Sequence, residues 1–382
     1  MTLSRRLRRL WLDVHLWIGV GLLAVLIPLC LSGSVLVWHD ALDRTLLAKR
    51  YAVSGPAVAL PPQAYADAAR AAFGDAAQLT QIRMPYKAGD PVVAVGRIPG
   101  SAGPDGRPRS LNAWIDPPTG RVLDRAEVAK GFSMVLHRLH GTLFIPGVGR
   151  KVVGWLGGAL LVSCATGLWL WWPRNGALGQ ALRWRRGPST LFNLHHLVGF
   201  WIFLPLAVVS LTGVYIAFPQ TSRAPFGVPQ PTAQGGPRGA PGGGRPAPPL
   251  ERPHLTLPDA VAKALAAAPG ASLAVINLPT QGPDPAWKIQ LSRPGAEEPL
   301  AITVSDATGA AQAGRASPGG GGGPDRLSAW MRRVHDGADM GIVWQTSLVL
   351  AGLAPTLLSL TGLIMWLRRR ARHRAIARGV TA

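Results

Sequence analysis

The sequence predicts an α-helical membrane protein in which four transmembrane helices form a tandem repeat, with two small α+β domains outside the membrane. Three observations carry this expectation: four long charge-free runs, a histidine–glycine pattern that recurs between the two halves, and arginine clusters on one side of a four-span layout. The runs are residues 16–38, 152–172, 197–218 and 342–367, and none contains Asp, Glu, Lys or Arg. A helix of about twenty apolar residues crosses the hydrocarbon layer.

A formal charge of +21 can signal nucleic acid, so where the charge sits decides its meaning. Arginines gather at Arg5, Arg6, Arg8 and Arg9, at Arg174, Arg183, Arg185 and Arg186, and at Arg368, Arg369, Arg370, Arg372 and Arg374. All three clusters abut one face of the four-span layout, which the positive-inside rule makes cytoplasmic. Both termini are therefore expected inside and the two long connections outside, with membrane lipid around the chain and no nucleic-acid partner. The first run is too long for a cleaved signal, and no small-x-small site follows at Trp38-His39-Asp40, so it is expected to stay as an anchor. Cys30 and Cys164 fall inside apolar runs, where burial is their usual state. The absence of Cys-x-x-Cys-His excludes covalent c-type haem.

Taken in order, residues 1–38 are the cytoplasmic amino terminus and the first span, in which Pro28 is expected to kink the helix. Residues 39–150 form the first extramembrane domain, with a helix at 61–73, strands at 79–83, 92–97 and 111–115, and a turn at 116–120. A helix at 132–140 follows and is broken by Pro146-Gly147 before the second span, 151–173. The loop 174–193 is short, basic and cytoplasmic, and 194–218 is the third span. Residues 219–250 are dense in Pro and Gly without an apolar pattern, the composition of a disordered linker. The second domain, 251–341, repeats the first: a helix at 257–268, strands at 287–291 and 300–304, a turn at 306–309, a Gly-rich tether at 314–324 and a helix at 327–335. The fourth span, 342–367, leads into a basic cytoplasmic tail, 368–382.

The repeat is sharpest at its histidines. His15-Leu16-Trp17-Ile18-Gly19 runs on to Ser32-Gly33, and His195-His196-Leu197-Val198-Gly199 runs on to Thr212-Gly213, so each leading histidine has glycines at plus four and plus eighteen. His140 and His335 each lie twenty-seven residues before the glycine of Thr166-Gly167 or Thr361-Gly362. A lone interfacial histidine is more often a hydrogen-bonded helix-end residue than a ligand. Recurrence at matched positions lifts His15 with His195, and His140 with His335, above that bland reading, because polar residues at a membrane span are costly unless they serve something. Eighteen residues are five turns at about 3.6 per turn, so His15, Gly19 and Gly33 face one way. Glycines there would let a flat ligand approach the helix, with close helix packing an equal alternative for Gly33 and Gly213.

The spans carry no carboxylate, which sets aside zinc and non-haem iron sites. Two neutral imidazoles in an apolar slot suit the axial positions of a b-type haem. Two such haems are expected, one held by His15 and His195 near the cytoplasmic face and one by His140 and His335 near the outer face, making an electron path across the membrane. His196 points about 100° away from His195 on a helix, as a neighbour of the ligand or an alternative to it. His39 lies roughly 36 Å along a helix from His15, so it and His137 belong with the outer site. The counterpart of His137 in the second copy is Arg332. His254 and His373 read as solvated. The chemistry requires no catalytic acid, base or nucleophile.

Together these motifs resemble the PepSY-associated transmembrane family. The resemblance rests on His15-Leu-Trp-Ile-Gly19 with Ser32-Gly33, on Leu139-His140-Gly-Thr-Leu-Phe144, and on Thr166-Gly-Leu-Trp-Leu-Trp-Trp-Pro-Arg174. It continues through Asn193-Leu-His195-His-Leu-Val-Gly199, Leu211-Thr-Gly213, His335-Asp-Gly-Ala-Asp-Met-Gly341 and Thr361-Gly-Leu-Ile-Met-Trp366, and covers nearly all the chain apart from the two tethers. It implies PepSY-like periplasmic domains, a place in the bacterial inner membrane and similarity to the family's ferric siderophore (ferrioxamine-type) reductases. Such a protein is a haem oxidoreductase that passes electrons to a ferric siderophore in the periplasm and releases iron as Fe(II) for uptake. Its electron donor is expected to be a membrane quinol or a separate reductase, since the sequence to Ala382 shows no flavin-dependent module. Two other functions stay open: a non-enzymatic PepSY membrane protein that regulates a protease or binds peptide, and a siderophore or haem permease.

Overall fold

The computed structural model describes residues 3–103, 108–173, 189–219, 221, 247–293, 299–315 and 326–377. Most of the expected basic loop, the Pro/Gly linker and the Gly-rich tether lie outside the described residues. The helices are α1 (Leu3–Gly21), α2 (Leu23–Leu36), α3 (His39–Leu46), α4 (Pro62–Phe73), α5 (Phe132–Thr142), α6 (Gly149–Trp171), α7 (Thr190–Ala217), α8 (Leu257–Ala266), α9 (Arg326–Asp336) and α10 (Gly341–Ala377). The strands are β1 (Gln78–Arg83), β2 (Val92–Arg97), β3 (Ser110–Ile115), β4 (Val122–Glu127), β5 (Ser272–Asn277), β6 (Ala286–Ser292), β7 (Leu300–Ser305) and β8 (Ala311–Arg315). They divide between two compact units, a helical one of residues 1–39, 135–230 and 326–382 and a sheet-bearing one of residues 40–134 and 231–325.

In the helical unit, α6, α7 and α10 are each long and apolar enough to cross a membrane, and α1 with α2 makes a fourth span if the bent pair counts as one. The chain is a multi-pass membrane protein. The bend between α1 and α2 is 69° and falls at Leu22, not at Pro28, which sits inside α2. The expected proline kink is thus displaced towards the amino terminus. Pro28 lacks an N–H and its ring crowds the carbonyl one turn earlier, while Gly19 and Gly21 make the preceding stretch the weakest in the helix. The α10 helix also continues through the arginines to Ala377, so the basic tail begins as helix.

These helices pack through small residues, as helices do where lipid removes the hydrophobic drive to associate. A Cβ on Gly352 of α10 would lie 2.0 Å from the Ser34 hydroxyl and 2.6 Å from the Cys30 carbonyl of α2. Ser34 Oγ donates to the Val349 carbonyl across the same contact at 3.0 Å. On α6, Gly154 receives Phe218 and Ala217, which follow or end α7. Cys30 and Cys164 are both buried thiols.

The sheet-bearing unit departs from the expectation of two separate α+β domains. Its strands form one eight-stranded antiparallel sheet, ordered β4-β3-β2-β1-β5-β6-β7-β8, so the two copies join through their first strands. The joint pairs Gln81 with Asn277, Ile82 with Ile276 and Arg83 with Val275, and a Gln81–Asn277 side-chain bond of 2.6 Å crosses it. Each copy covers its half with one helix. Pro62 opens α4, where its missing N–H costs nothing, and the helix turns Tyr65, Ala66, Ala69 and Phe73 inward. Thr256 caps α8 by accepting from the Asp259 N–H, and Leu257, Ala260, Val261 and Ala264 form its buried stripe. Strands β4, β5 and β8 escaped the sequence reading.

Each copy also buries one aspartate at the turn after its third strand. Asp116 accepts from the Ser54 backbone and hydroxyl and from Thr119. Asp306 accepts from the His254 and Leu255 N–H groups and from Trp287 Nε1. At the β3–β4 edge, Arg109 grips Glu127 through two bonds of 2.5 Å. That guanidinium holds the Glu127 carboxyl down at about 2 from an ordinary 4.5. A carboxyl depressed on folding stabilises the fold above its unfolded value, and the contribution fades as pH falls through the folded value. Amide exchange along β4 should therefore speed up in the native chain relative to Glu127→Gln as pH drops from 4.5 towards 2. Identical profiles in the two proteins would show that the pair does not hold this edge.

Candidate cofactor site

Each of the four recurring histidines is seated on a Ser/Thr-Gly dipeptide of another helix. The hydroxyl of Thr166 donates back to the Val162 and Ser163 carbonyls of α6. His15 Nδ1 from α1 lies 3.0 Å from that hydroxyl and 3.1 Å from the Ser163 carbonyl. Thr212 of α7 bonds its own helix in the same way, and His335 Nδ1 from α9 lies 3.0 Å from its hydroxyl and 3.1 Å from the Val209 carbonyl. Thr361 of α10 repeats the arrangement for His195 at 2.9 Å. On α2 the hydroxyl of Ser32 bonds Leu29, and His140 Nδ1 meets that Leu29 carbonyl at 2.8 Å.

At three of the four seats the glycine next in sequence makes room for the ring, and at Gly362 the ring stands at ordinary contact distance. A Cβ on Gly33 would lie 2.7 Å from His140 Cε1, on Gly167 3.1 Å from His15 Cε1, on Gly213 3.1 Å from His335 Cε1, and on Gly362 3.6 Å from His195 Cε1. Of the two expectations for Gly33 and Gly213, approach of a flat ligand or close packing against another helix, these contacts fit the packing one. Both glycines receive a histidine from a different helix, and a Cβ on Gly19 would meet nothing within 4 Å. The expectation that His15, Gly19 and Gly33 face one way needed one straight helix, which the bend at Leu22 forbids.

The chemical consequence concerns the tautomer. A carbonyl only accepts, and a hydroxyl whose single proton goes to its own helix can only accept from a second neighbour. The proton therefore sits on Nδ1 in all four rings, and each Nε2 carries a lone pair. Metal-binding histidines show this pattern, with the distal N–H held by a carbonyl or similar acceptor.

Histidines from the two repeats then meet in pairs. The ring centroids of His15 and His195 are 6.3 Å apart, and those of His140 and His335 are 6.1 Å apart. Two imidazoles sharing one metal, each with a metal–nitrogen bond of about 2.0 Å, place their centroids about 6 Å apart. Both separations fit. Among the described residues no group of three or more His, Cys, Asp or Glu is arranged to hold a metal ion, so any metal here would draw on two protein ligands per pair.

Beside His15 and His195 opens a cavity of about 590 Å³ between α1, α6, α7 and α10. Such a volume is that of an ordinary small-molecule or cofactor site. Its wall is mostly apolar, but Arg8 and Arg369 also line it, two residues that the sequence reading placed only in a charge cluster. His196 lines it as well, with its ring edge-on to Phe192 at 3.9 Å and 6.5 Å from that of His195. His39 and His137, expected with the outer pair, also lie side by side. They form a third pair of their own, with ring centroids 5.4 Å apart.

The model of the PepSY-associated TM region matches residues 12–369, and the chain belongs to that family. A comparison with curated proteins returned no match.

The seats are open to a direct test. Gly33→Ala should push the His140 ring off the Leu29 carbonyl and lower stability by about 1–3 kcal/mol, the usual cost of overpacking. Gly19→Ala, facing open space, should leave stability unchanged or slightly raised. Thermal unfolding of the two purified variants compares them, and equal midpoints would refute the seating of His140 on Gly33.

Proposed function

We propose that the chain is a haem-containing reductase of the bacterial inner membrane. It delivers electrons to a ferric siderophore in the periplasm and frees the iron as Fe(II). The observation that carries the reading is the twofold occurrence of paired imidazoles at 6.3 and 6.1 Å, each with its Nδ1–H already bonded and its Nε2 lone pair available. A b-type haem held at each pair would supply one-electron redox chemistry, its potential set by the imidazoles that hold it and by burial.

The chain's own groups do the rest. His15 and His195 would hold one haem, His140 and His335 the other, and the Ser/Thr-Gly seats keep each ring from rotating. Arg8 and Arg369, on the wall of the cavity, offer guanidinium partners for the carboxylates of a cofactor. The apolar lining excludes water. With both termini and the basic clusters on the cytoplasmic side, the His15–His195 pair lies nearer the electron donor, a quinol or a separate reductase. The other pair lies nearer the periplasm. Taking up one electron converts the chelated Fe(III) to Fe(II), which hydroxamate-type oxygen donors hold far less tightly, so the metal leaves and the intact siderophore remains.

The experiment is reduction of protein in lipid nanodiscs followed by anaerobic mixing with a ferric trihydroxamate. The reduced visible bands should decay as Fe(II), trapped by a chromogenic chelator, appears. His335→Ala should slow that decay at least tenfold. A colourless preparation from haem-replete cells, or reduced bands indifferent to the chelate, would end the proposal.

A further inference from the structure

The His39–His137 pair is outside the four seats and has its own character. His39 opens α3, directly after α2, and His137 lies one turn before His140 on α5. Their rings are perpendicular with centroids 5.4 Å apart. His137 is exposed and His39 half-buried, so the pair is reached from solvent on the His137 side. His39 Nδ1–H donates to the Leu36 carbonyl at 2.8 Å, which again leaves the lone pair on Nε2. The exposed carboxylate of Asp336 has His39, His137, His140 and Arg332 in its electrostatic surroundings. This gathers two imidazoles and a nearby negative charge at the rim of the outer pair.

We propose that His39 and His137 form a separate, exchangeable site for a borderline divalent metal ion, with Asp336 as a nearby charge that favours the cation. Imidazole suits first-row divalent ions such as Fe(II), Co(II), Ni(II) and Zn(II), and selects against the hard Mg²⁺ and Ca²⁺. Two protein ligands leave the remaining positions to water, so the ion is held loosely and exchanges, as befits transit and not storage. Built on the reductase reading, the site is where Fe(II) lands on leaving its chelate, before it moves on. The metal-binding claim itself does not need that reading.

Tag-free protein in nanodiscs is titrated with Co(II), followed by its visible absorption and by calorimetry, and then with Fe(II) under anaerobic conditions. Native protein should bind one Co(II) at this pair. His39→Ala, His137→Ala and His137→Gln should each weaken it at least tenfold, and Asp336→Asn should weaken it by less. His373→Ala should bind as the native chain does. Thermal midpoints and haem content guard against misfolding and should stay at native values in every variant. A protein that binds Co(II) at the pair yet holds no haem keeps the site and removes only the reductase reading. The proposal is overturned by native protein that binds no Co(II), by a His39→Ala/His137→Ala double variant that binds it as tightly as before, or by loss of haem in His137→Ala, which would make the pair part of the cofactor site.

Discussion

The bond from a histidine Nδ1–H to the carbonyl or hydroxyl of a Ser/Thr-Gly seat is the interaction on which the helical unit depends. It satisfies a polar group that would otherwise be costly between apolar helices. It fixes the tautomer, aims the opposite nitrogen and ties one helix to another. At Thr166, Thr212 and Thr361 the hydroxyl, bonded to its own helix, presents an oxygen that can only accept, and at Ser32 the Leu29 carbonyl takes that part; Gly33, Gly167 and Gly213 remove the Cβ that would crowd the ring. Ser32, Thr166, Thr212 and Thr361 are all nearly inaccessible, as residues of a shared structural device should be.

The repeat gives this device its symmetry. Each histidine sits on a seat of its own copy: His15 on Thr166-Gly167, His140 on Ser32-Gly33, His195 on Thr361-Gly362 and His335 on Thr212-Gly213. The seated histidines then pair between copies, His15 with His195 and His140 with His335. Neither copy alone brings two seated histidines together. The sheet obeys a related rule, since β1 and β5 close the two half-sheets onto each other and bury no free edge at the joint. Duplication thus yields both a paired site among the helices and a single continuous sheet.

Much of this was legible because membrane solvation writes strongly into sequence. Charge-free runs mark the spans, and matched intervals from His15 and His195 mark the repeat. What escaped was relational. The four Ser/Thr-Gly dipeptides were visible, but spacing along one helix cannot say which histidine of another helix meets them, and the bend at Leu22 broke the straight-helix arithmetic. Arg8 and Arg369 were hidden inside clusters whose bulk served topology. Strand β8, Ala-Gln-Ala-Gly-Arg, has no β-branched residue, and only its pairing with β7 makes it a strand. The joining of two small domains into one sheet was likewise beyond a reading that treats each copy alone.

The central claim is that histidines of different copies share one ligand per pair. Haem counted by pyridine haemochromogen in single and double variants tests it most directly. The account predicts two haems in the native chain and one in His15→Ala, in His195→Ala and in the His15→Ala/His195→Ala double variant. It predicts none in His15→Ala/His140→Ala. Complete loss in the first double variant, or undiminished haem in any of these proteins, would contradict it.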